Sequence, residues 1–349
     1  MYLKQLHVHG LRNLKHIQLS LSPQVNLFHG PNGSGKTSLL EAIFLLGRGR
    51  SFRSRVLNTV INTQEQVCTA YGLRESAGIS TPIGVSRGRQ GDFLFKINGQ
   101  QIAAASALAE TLPLLLLNAE GFDLIGGGPH YRRRFIDWGV FHVEPRFFPA
   151  WQRYQRALRQ RNRALKEGGR SAAAFEPELA EAGMLVHRLR MDYLQNFMSP
   201  LGERIRQLLN TDDWSLDLQR GWRGSADFSE CLTQQRERDR RMGQTTEGPH
   251  RAELRLKMGG ETARNRVSRG QQKMLIAALV LAQCDQVLER TEVAPVLLVD
   301  DLAAELGSEF QASLIAALNT YPGQVFVSAL EMTAAMESLE TGRVFHGEH

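Results

Sequence analysis

The sequence predicts an α/β fold that is assembled from both ends of the chain, with a mostly helical second lobe inserted between the two parts. Strand-like apolar runs and a glycine-rich turn dominate residues 1–120. Long amphipathic patterns with helical spacing fill residues 121–244, and alternating helix and buried-strand patterns return over residues 245–349. We therefore expect the C-terminal part to complete the domain that the N-terminal part begins.

The composition is that of an ordinary globular protein. Hydrophobic residues make up 42% and charged residues 22% of the 349 residues, which argues against a disordered chain. The longest apolar run, Met274–Ala282, has nine residues, whereas a membrane helix needs about 18. Cys68, Cys231 and Cys284 lie far apart and form no metal-ligand pair. Since the N-terminus also lacks an apolar secretory segment, we expect a cytoplasmic protein with no membrane partner.

Positive charge is concentrated in one region. The whole chain carries a net charge of +6, but residues 131–170 alone contain 11 Lys or Arg against 3 Asp or Glu. The remainder of the chain is therefore slightly acidic. This distribution favours a polyanionic partner such as nucleic acid at the basic region, with a solvated helix face as the alternative interpretation.

The N-terminal part begins with strands. Alternating polarity over Tyr2–Val8 and an apolar run over Val25–Phe28 each predict one. Apolar residues at helical spacing predict a helix over Lys36–Leu46 that ends at Gly47. A later apolar run followed by Asn98-Gly99 predicts a β-hairpin with a type I′ turn.

Two amphipathic segments dominate the helical lobe, residues 151–166 and 177–209. They predict an antiparallel helical arm, and an ordinary helical subdomain fits the same pattern equally well. The C-terminal part then predicts helix Gly270–Leu288, strand Val296–Val299, helix Ser308–Asn319 and strand Gln324–Val327.

A glycine-rich segment after the second strand matches the phosphate-binding pattern G-x-x-x-x-G-K-[ST] in full. Its position between a buried strand and an apolar-faced helix disfavours a chance match. Backbone N–H groups of such a loop converge on phosphate oxygens, Lys36 reaches the β- and γ-phosphates of ATP, and the Thr37 hydroxyl ligates Mg²⁺. The matching residues are Gly30, Pro31, Asn32, Gly33, Ser34, Gly35, Lys36 and Thr37.

Two carboxylates follow the buried strand Val296–Val299. Ligands bind at the carboxyl ends of strands in open α/β sheets, so we expect Asp300 on the metal side and Asp301 as the general base that polarises the attacking water. Alone, the pair would be read as a turn or a helix cap. Because 264 positions separate Lys36 from Asp300, the two halves of the site come from opposite ends of the chain. This separation disfavours the layouts of P-loop kinases and GTPases.

Ser268, Gly270 and Gln271 open a predicted helix 32 residues before Asp300. A simple helix cap explains Ser-x-Gly-Gln by itself. Its place before the acidic strand makes it resemble the signature motif of ABC-type ATPases. In that class the serine and the helix N-terminus contact the γ-phosphate of ATP held by the other subunit. The resemblance therefore implies an ATP-dependent homodimer.

The chain as a whole resembles the RecF family. Besides the ATPase motifs, the resemblance rests on Leu11-Arg12-Asn13-Leu14 and on the stretches 127–138 and 248–251. It implies an ABC-type ATPase head with a helical second lobe, and it places Arg12 in the nucleotide site. It also implies binding of single-stranded or gapped DNA that slow ATP hydrolysis releases. The implied partners are RecO and RecR, in recombinase loading, recombinational repair, replication restart and the SOS response.

Three positions depart from general ABC-type ATPases. The base is Asp301 rather than glutamate, and Ser328 stands where many members carry a switch histidine. The expected glutamine near residues 113–120 is absent, with Asn118 and Glu120 as possible substitutes. These departures fit a slow, switch-like ATPase.

Contacts from arginine and lysine to phosphates dominate nonspecific DNA affinity. Trp138, Trp151 and Tyr154 interleave the basic residues, but their helical spacing favours core packing over base stacking. No sequence-specific DNA-reading motif is present. The candidate DNA contacts are Arg132, Arg133, Arg134, Arg153, Arg156, Arg159 and Arg163.

Two other functions remain as alternatives. An ATPase subunit of a membrane transporter would bind no DNA, or bind it without salt dependence. An ATP-gated protein scaffold with incidental hydrolysis would keep its activity when Asp301 is changed to asparagine.

Overall fold

A computed structural model of the chain describes residues 1–54, 56–118, 121–169, 171–224, 227–301 and 307–346. The chain divides into two compact units: unit 1 comprises residues 1–121 and 273–349, and unit 2 comprises residues 122–272. The sequence places the boundaries after residues 120 and 244. Residues 245–272 lie in unit 2 because they contain strands that pair with a strand of that unit.

Two sheets form the framework of unit 1. One has six antiparallel strands in the order β2-β1-β4-β5-β6-β7, and the other has five parallel strands in the order β14-β3-β13-β12-β8. The strands are β1 (Tyr2–Leu11), β2 (Leu14–Ser20), β3 (Val25–His29), β4 (Val67–Ser76), β5 (Ile79–Gly88), β6 (Phe93–Ile97), β7 (Gln100–Ile102), β8 (Leu114–Leu117), β12 (Val296–Val299), β13 (Val325–Ala329) and β14 (Thr341–His346).

The parallel sheet brings the two chain ends together. Strand β13 lies between β3 and β12, and every residue of β12 and β13 is buried. Parallel strands end at the same edge, so the segments after β3 and β12 meet there with the end of β13. This topology confirms the predicted α/β fold built from both ends of the chain. Strand β14, which pairs with β3, was not predicted.

The first helix begins at Lys36 as predicted but runs past Gly47. It ends at Arg48, and Gly49 takes the left-handed cap conformation with φ 61°. Gly47 is needed for packing: an added Cβ would lie 2.3 Å from Leu114 Cδ2 and 2.7 Å from the Leu112 carbonyl oxygen. The helices of unit 1 are α1 (Lys36–Arg48), α2 (Ala105–Thr111), α9 (Arg269–Thr291, in unit 1 from Lys273), α10 (Ser308–Asn319) and α11 (Ala334–Glu337).

Unit 2 combines helices with a three-stranded antiparallel sheet in the order β11-β10-β9. Its helices are α3 (Phe122–Gly126), α4 (Pro129–Val143), α5 (Phe147–Lys166), α6 (Glu176–Leu209), α7 (Phe228–Met242) and α8 (Ala263–Arg266), and its strands are β9 (Trp214–Gln219), β10 (Glu253–Met258) and β11 (Glu261–Thr262). Among all the helices described in both units, none is long and apolar enough to cross a membrane.

Helices α5 and α6 pair in antiparallel fashion. Arg161 near the end of α5 binds Glu176 at the start of α6, whereas the earlier Arg153 binds the later Glu178. Helices α4 and α7 also pack against α6. The packing favours the helical-subdomain interpretation over a separate arm.

Replacing Gly47 with alanine should lower the free energy of unfolding by about 1–3 kcal/mol, because the new methyl group overpacks the contact with Leu114. Chemical denaturation measures this loss. The matched control is Gly84→Ala in β5, where the nearest atom to the new Cβ lies 3.9 Å away. An equal loss in both variants would show that the close approach at Gly47 is unimportant.

Candidate nucleotide-binding site

The loop at residues 30–35 joins β3 to α1. Gly33 and Gly35 have φ values of 85° and 94°, a region that side chains strongly disfavour. A Cβ at Gly35 would also lie 2.6 Å from Leu14 Cδ2. The loop therefore needs glycine at this position both for its turn and for its packing, and it delivers the chain directly into the N-terminus of a 13-residue helix.

Lys36 lies over this loop. Its Nζ donates hydrogen bonds to the carbonyl oxygens of Gly30 at 2.6 Å and Pro31 at 2.8 Å. Burial lowers the pKa of Lys36, and the nearby carboxylates of Asp301 and Asp300 partly oppose this shift. The ammonium group is thus held at the loop, within the field of the two carboxylates that follow β12.

Asp300 connects the two chain ends. Its Oδ1 accepts hydrogen bonds from the Thr37 hydroxyl at 3.0 Å and from the Ser328 hydroxyl at 2.6 Å. Ser328 reaches Asp300 because it lies in β13, between the strands that precede the loop and the carboxylates. Thr37 and Asp300, which the sequence assigns to one Mg²⁺ site, are therefore in direct contact.

Asp301 has a left-handed backbone, with φ 58°. Its backbone N–H donates to Ser328 Oγ at 2.9 Å, so the same hydroxyl binds both aspartates. The side chain of Asp301 lines the cleft that also contains Lys36 and Thr37. Ser328 therefore fixes the turn that presents Asp301.

The oxygen atoms of Thr37 and Asp300 suit Mg²⁺, which prefers hard oxygen ligands and keeps several of its waters. The described residues contain no cluster of three or more His, Cys, Asp or Glu that could form a complete metal cage. A Mg²⁺ ion at this position would need phosphate oxygens and water to complete its coordination.

The turn between β1 and β2 makes hydrogen bonds to the loop and to the start of α1. Asn13 donates to the Gly33 carbonyl oxygen at 2.7 Å and accepts from the Ser38 hydroxyl at 2.9 Å. Sequence reasoning included Asn13 only within the family stretch Leu11–Leu14 and gave it no role. Its contacts with the loop are tertiary, and the local pattern carries no signal for them.

Arg12 is held by a buried carboxylate. Its guanidinium makes a bidentate ion pair with Glu41 of α1, with both N–O distances at 2.9 Å, and the Glu41 side chain is 0% exposed. Glu41 also accepts a hydrogen bond from Ser51. The ion pair anchors the turn to α1 and leaves Arg12 at the cleft wall.

A cleft of about 680 Å³ lies beside these groups in unit 1. Besides the predicted residues, its wall includes a segment around Asn62 that the sequence did not single out. Asn62 Nδ2 donates to the Arg12 carbonyl oxygen at 2.6 Å, so this segment and the β1–β2 turn form one wall. Asn118 bonds locally to the Gly121 N–H, and Glu120 lies outside the described residues.

The residues of the predicted signature motif lie in unit 2, at the start of α9. Ser268 Oγ accepts from the Gln271 N–H at 3.3 Å, and the Gln271 side chain accepts from the Ser268 N–H at 3.0 Å. This reciprocal pair is a capping box. Both residues are exposed and Gly270 is half-buried, so the N-terminus of a 23-residue helix faces solvent within unit 2.

Comparisons with known proteins agree with this geometry. The RecF/RecN/SMC N terminal domain family matches residues 2–349. The DNA replication and repair protein RecF of Pseudomonas aeruginosa (strain LESB58) is 43% identical over 356 residues, covering 100% of this chain and 96% of that protein. The chain belongs to the RecF family. RecF of Pseudomonas putida (strain W619) is 42% identical and covers 98% of this chain and 94% of its own length.

Solved structures extend the comparison. A structure of the recombination mediator protein RecF-ATPrS in the RecFOR pathway has a TM-score of 0.85 and 26% identity, and covers 99% of this chain and 95% of its own. A structure of the SmcHead bound to the C-winged helix domain of ScpA has a TM-score of 0.60 and 15% identity, covering 99% and 94%. The second comparison shows a shared fold alone.

The two stretches that carried the resemblance to the RecF family meet within unit 2. Arg190 of α6 binds Asp137 with two hydrogen bonds, at 2.7 and 2.9 Å, and donates to the Pro249 carbonyl oxygen at 2.8 Å. A hydrogen bond of 2.6 Å joins His250 Nδ1 and the Tyr154 hydroxyl. Burial lowers the pKa of His250 to about 4. These residues hold the fold of unit 2 together.

Several candidate DNA contacts are engaged in the same unit. Arg132 binds Glu253 at 2.6 Å, and Arg133 donates to the Ala252 carbonyl oxygen at 2.8 Å. Arg153 pairs with Glu178 and Glu181. Of the remaining candidates, Arg163 pairs with Glu167 on the surface, and the exposed side chains are those of Arg134, Arg156 and Arg159.

Replacing Arg12 with methionine should lower the free energy of unfolding by about 3 kcal/mol, because it leaves the buried Glu41 carboxylate without its bidentate partner. The matched control is Arg53→Met, since Arg53 is 44% exposed and lies 3.8 Å from the same carboxylate. The control should lose less than about 1 kcal/mol. Denaturant titration of both variants tests the assignment, and equal losses would contradict it.

Proposed function

We propose that this protein is an ATP-dependent DNA-binding protein of recombinational repair and replication restart that acts in the cytoplasm. It binds ATP with Mg²⁺, forms a homodimer on ATP binding, and hydrolyses ATP slowly. The observation that carries the proposal is the hydrogen bond between Thr37 and Asp300, across 263 positions of sequence. It brings a phosphate-binding loop and an acidic strand end into one site.

The loop and the helix α1 supply the triphosphate site. Backbone N–H groups of residues 30–35 and the positive end of the helix dipole attract phosphate oxygens. Lys36 exchanges its bonds to loop carbonyls for bonds to the β- and γ-phosphates, which are stronger because both partners are charged. Arg12, at the wall of the same cleft, contacts the bound nucleotide.

Thr37 and Asp300 would hold Mg²⁺ together with phosphate oxygens and water. When bound, the ion neutralises charge that develops on the phosphates during transfer. Asp301 lines the cleft and acts as the general base toward the attacking water. Ser328, bonded to both aspartates, keeps Asp301 in place and senses a change at Asp300, in the role that a switch histidine has elsewhere.

The position of Ser268 supports the proposed dimer. The residue is exposed at the N-terminus of α9, where the helix dipole gives positive potential. In the proposed dimer, Ser268, Gly270 and Gln271 contact the γ-phosphate of ATP held by the second copy. ATP binding then closes two copies over DNA, and hydrolysis separates them.

The DNA partner is single-stranded, gapped or duplex DNA, which the protein binds without sequence specificity. RecF-ATPrS, a structural relative, is described as a recombination mediator in the RecFOR pathway. By this relationship we propose RecO and RecR as protein partners, with roles in recombinase loading and in the SOS response.

Lys36→Ala should weaken ATP binding by about tenfold or more, because it removes charge-assisted hydrogen bonds of about 1.5–3 kcal/mol. Isothermal titration with ATP and Mg²⁺ measures the change. Lys15→Ala removes an exposed lysine from β2 in the same unit and should leave the affinity unchanged. Wild-type affinity in the Lys36 variant would remove that residue from its assigned role.

Ser268→Arg should abolish ATP-dependent dimerisation while ATP binding by the monomer persists, because the larger side chain blocks the contact with the second copy. Light scattering with and without ATP measures the dimer. Ser229→Arg is the matched control, since Ser229 is also an exposed serine at a helix start in unit 2. If the Ser268 variant dimerises as the wild type does, the proposed contact between copies is wrong.

A further inference from the structure

A second cleft, of about 700 Å³, lies wholly within unit 2 and is lined by arginines. We propose that this arginine cleft binds the phosphodiester backbone of DNA. The inference rests on the proposed DNA-binding function and assigns the contact to residues that the sequence did not suggest. The arginines that line the cleft are Arg220, Arg223, Arg238, Arg251 and Arg255.

The five arginines come from four different segments of unit 2. Arg238 belongs to α7 and Arg255 to β10, while the other three lie in the segments 220–223 and 249–251. These two segments are pressed together: the Gly248 N–H donates to the Gly221 carbonyl oxygen at 2.9 Å. A Cβ added at Gly221 would lie 2.4 Å from the backbone nitrogen of Ala252 and 2.4 Å from the carbonyl oxygen of Gly248. The cleft is therefore built by the fold rather than by mobile side chains alone.

Positive charge predominates among the residues that line the cleft. Its lining contains one carboxylate, Glu247, which is 8% exposed. Glu247 accepts the backbone N–H of Arg223 at 2.7 Å and lies 3.5 Å from the Cys231 thiol. The Glu247 carboxylate thus binds a backbone N–H group and forms no ion pair with an arginine side chain among the described residues.

The guanidinium groups of the cleft differ from those of Arg132, Arg153 and Arg163, which pair with carboxylates. Among the described residues, the side chains of Arg223, Arg238, Arg251 and Arg255 form no ion pair, and all four residues are exposed. Within the described part of the chain, Arg220 donates to the carbonyl oxygens of Trp222 and Gly224. A guanidinium that is not paired with a carboxylate can neutralise a phosphate and thereby displace a cation condensed on the DNA.

The lining favours nucleic acid over an acidic protein segment. Protein interfaces depend on exposed apolar anchors at their centre. The large apolar side chain in this cleft, Trp222, is 5% exposed, and the Arg220 guanidinium lies 5.4 Å from its ring centroid. A surface of arginines without apolar anchors is what backbone phosphates require.

The test compares two double variants of the full chain that remove the same charge. Arg238→Gln with Arg255→Gln changes the cleft, and Arg146→Gln with Arg206→Gln changes exposed arginines that pair with Glu144 and Asp212 in the same unit. Fluorescence anisotropy with gapped, duplex and single-stranded DNA, in ATP and over a range of salt concentrations, gives affinities and salt slopes. Light scattering in the presence of ATP checks that each variant still forms the dimer.

We expect the cleft variant to bind DNA at least about tenfold more weakly and its salt slope to fall by about 1.4–1.8, at about 0.7–0.9 for each of two lost phosphate contacts. The control should change less than threefold. Equal losses in both variants, or an unchanged cleft variant, overturn the location while DNA binding itself stands. Failure of the wild type to bind any DNA overturns the proposed function as well. If a labelled poly-glutamate peptide binds wild type but not the cleft variant, while DNA binding is unaffected, the cleft serves an acidic protein instead.

Discussion

The candidate site depends on the shared hydrogen bonds of Asp300, which join the first and last hundred residues of the chain. The Thr37 and Ser328 hydroxyls both reach Oδ1 of this carboxylate, at 3.0 and 2.6 Å. Such contacts form only when β3, β13 and β12 lie parallel and in register. Because β13 and β12 come from the C-terminal part of the chain, the phosphate-binding loop has no acidic partner until both ends have folded into one sheet. An inserted unit of any architecture is compatible with this requirement, provided its own ends return to the same sheet.

A second set of polar contacts holds the loop and the start of α1. The β1–β2 turn binds the loop through Asn13 and binds α1 through the ion pair of Arg12 with Glu41. Burying a carboxylate costs free energy unless it is paired. The ion pair with the buried Glu41 therefore fixes the position of the turn. Nucleotide contacts at Arg12 would therefore be transmitted to α1 and to the loop at once. The antiparallel sheet thereby contributes to a site whose chemistry lies at the edge of the parallel sheet.

Local patterns predicted what local physics determines. Helix α10 begins and ends where the sequence predicted, since its apolar spacing and flanking residues specify both ends. The hairpin turn likewise follows from Asn98 and Gly99, which both take positive φ. Strand β14, Asn13 and the true end of α1 were missed because each depends on a partner distant in sequence. Gly47 would end an isolated helix, but here its missing side chain admits Leu114.

The arginines show most clearly that a local sequence pattern does not reveal partners that are distant in sequence. Helical periodicity groups Arg161 with the other basic residues of α5, yet its side chain is 0% exposed and binds Glu176 and Asp239 from two other helices. Arg132 and Arg190 likewise bind carboxylates and carbonyl oxygens that the fold brings to them. A count of positive charge along the sequence therefore measures two opposite things: charge that stabilises unit 2 and charge that is available to a ligand. Since a guanidinium that is already paired gains little by approaching a phosphate, the second kind decides where a polyanion binds. In unit 2 that kind includes four arginines of the cleft, which lie outside the most basic segment of the sequence, as well as the exposed Arg134, Arg156 and Arg159 within it.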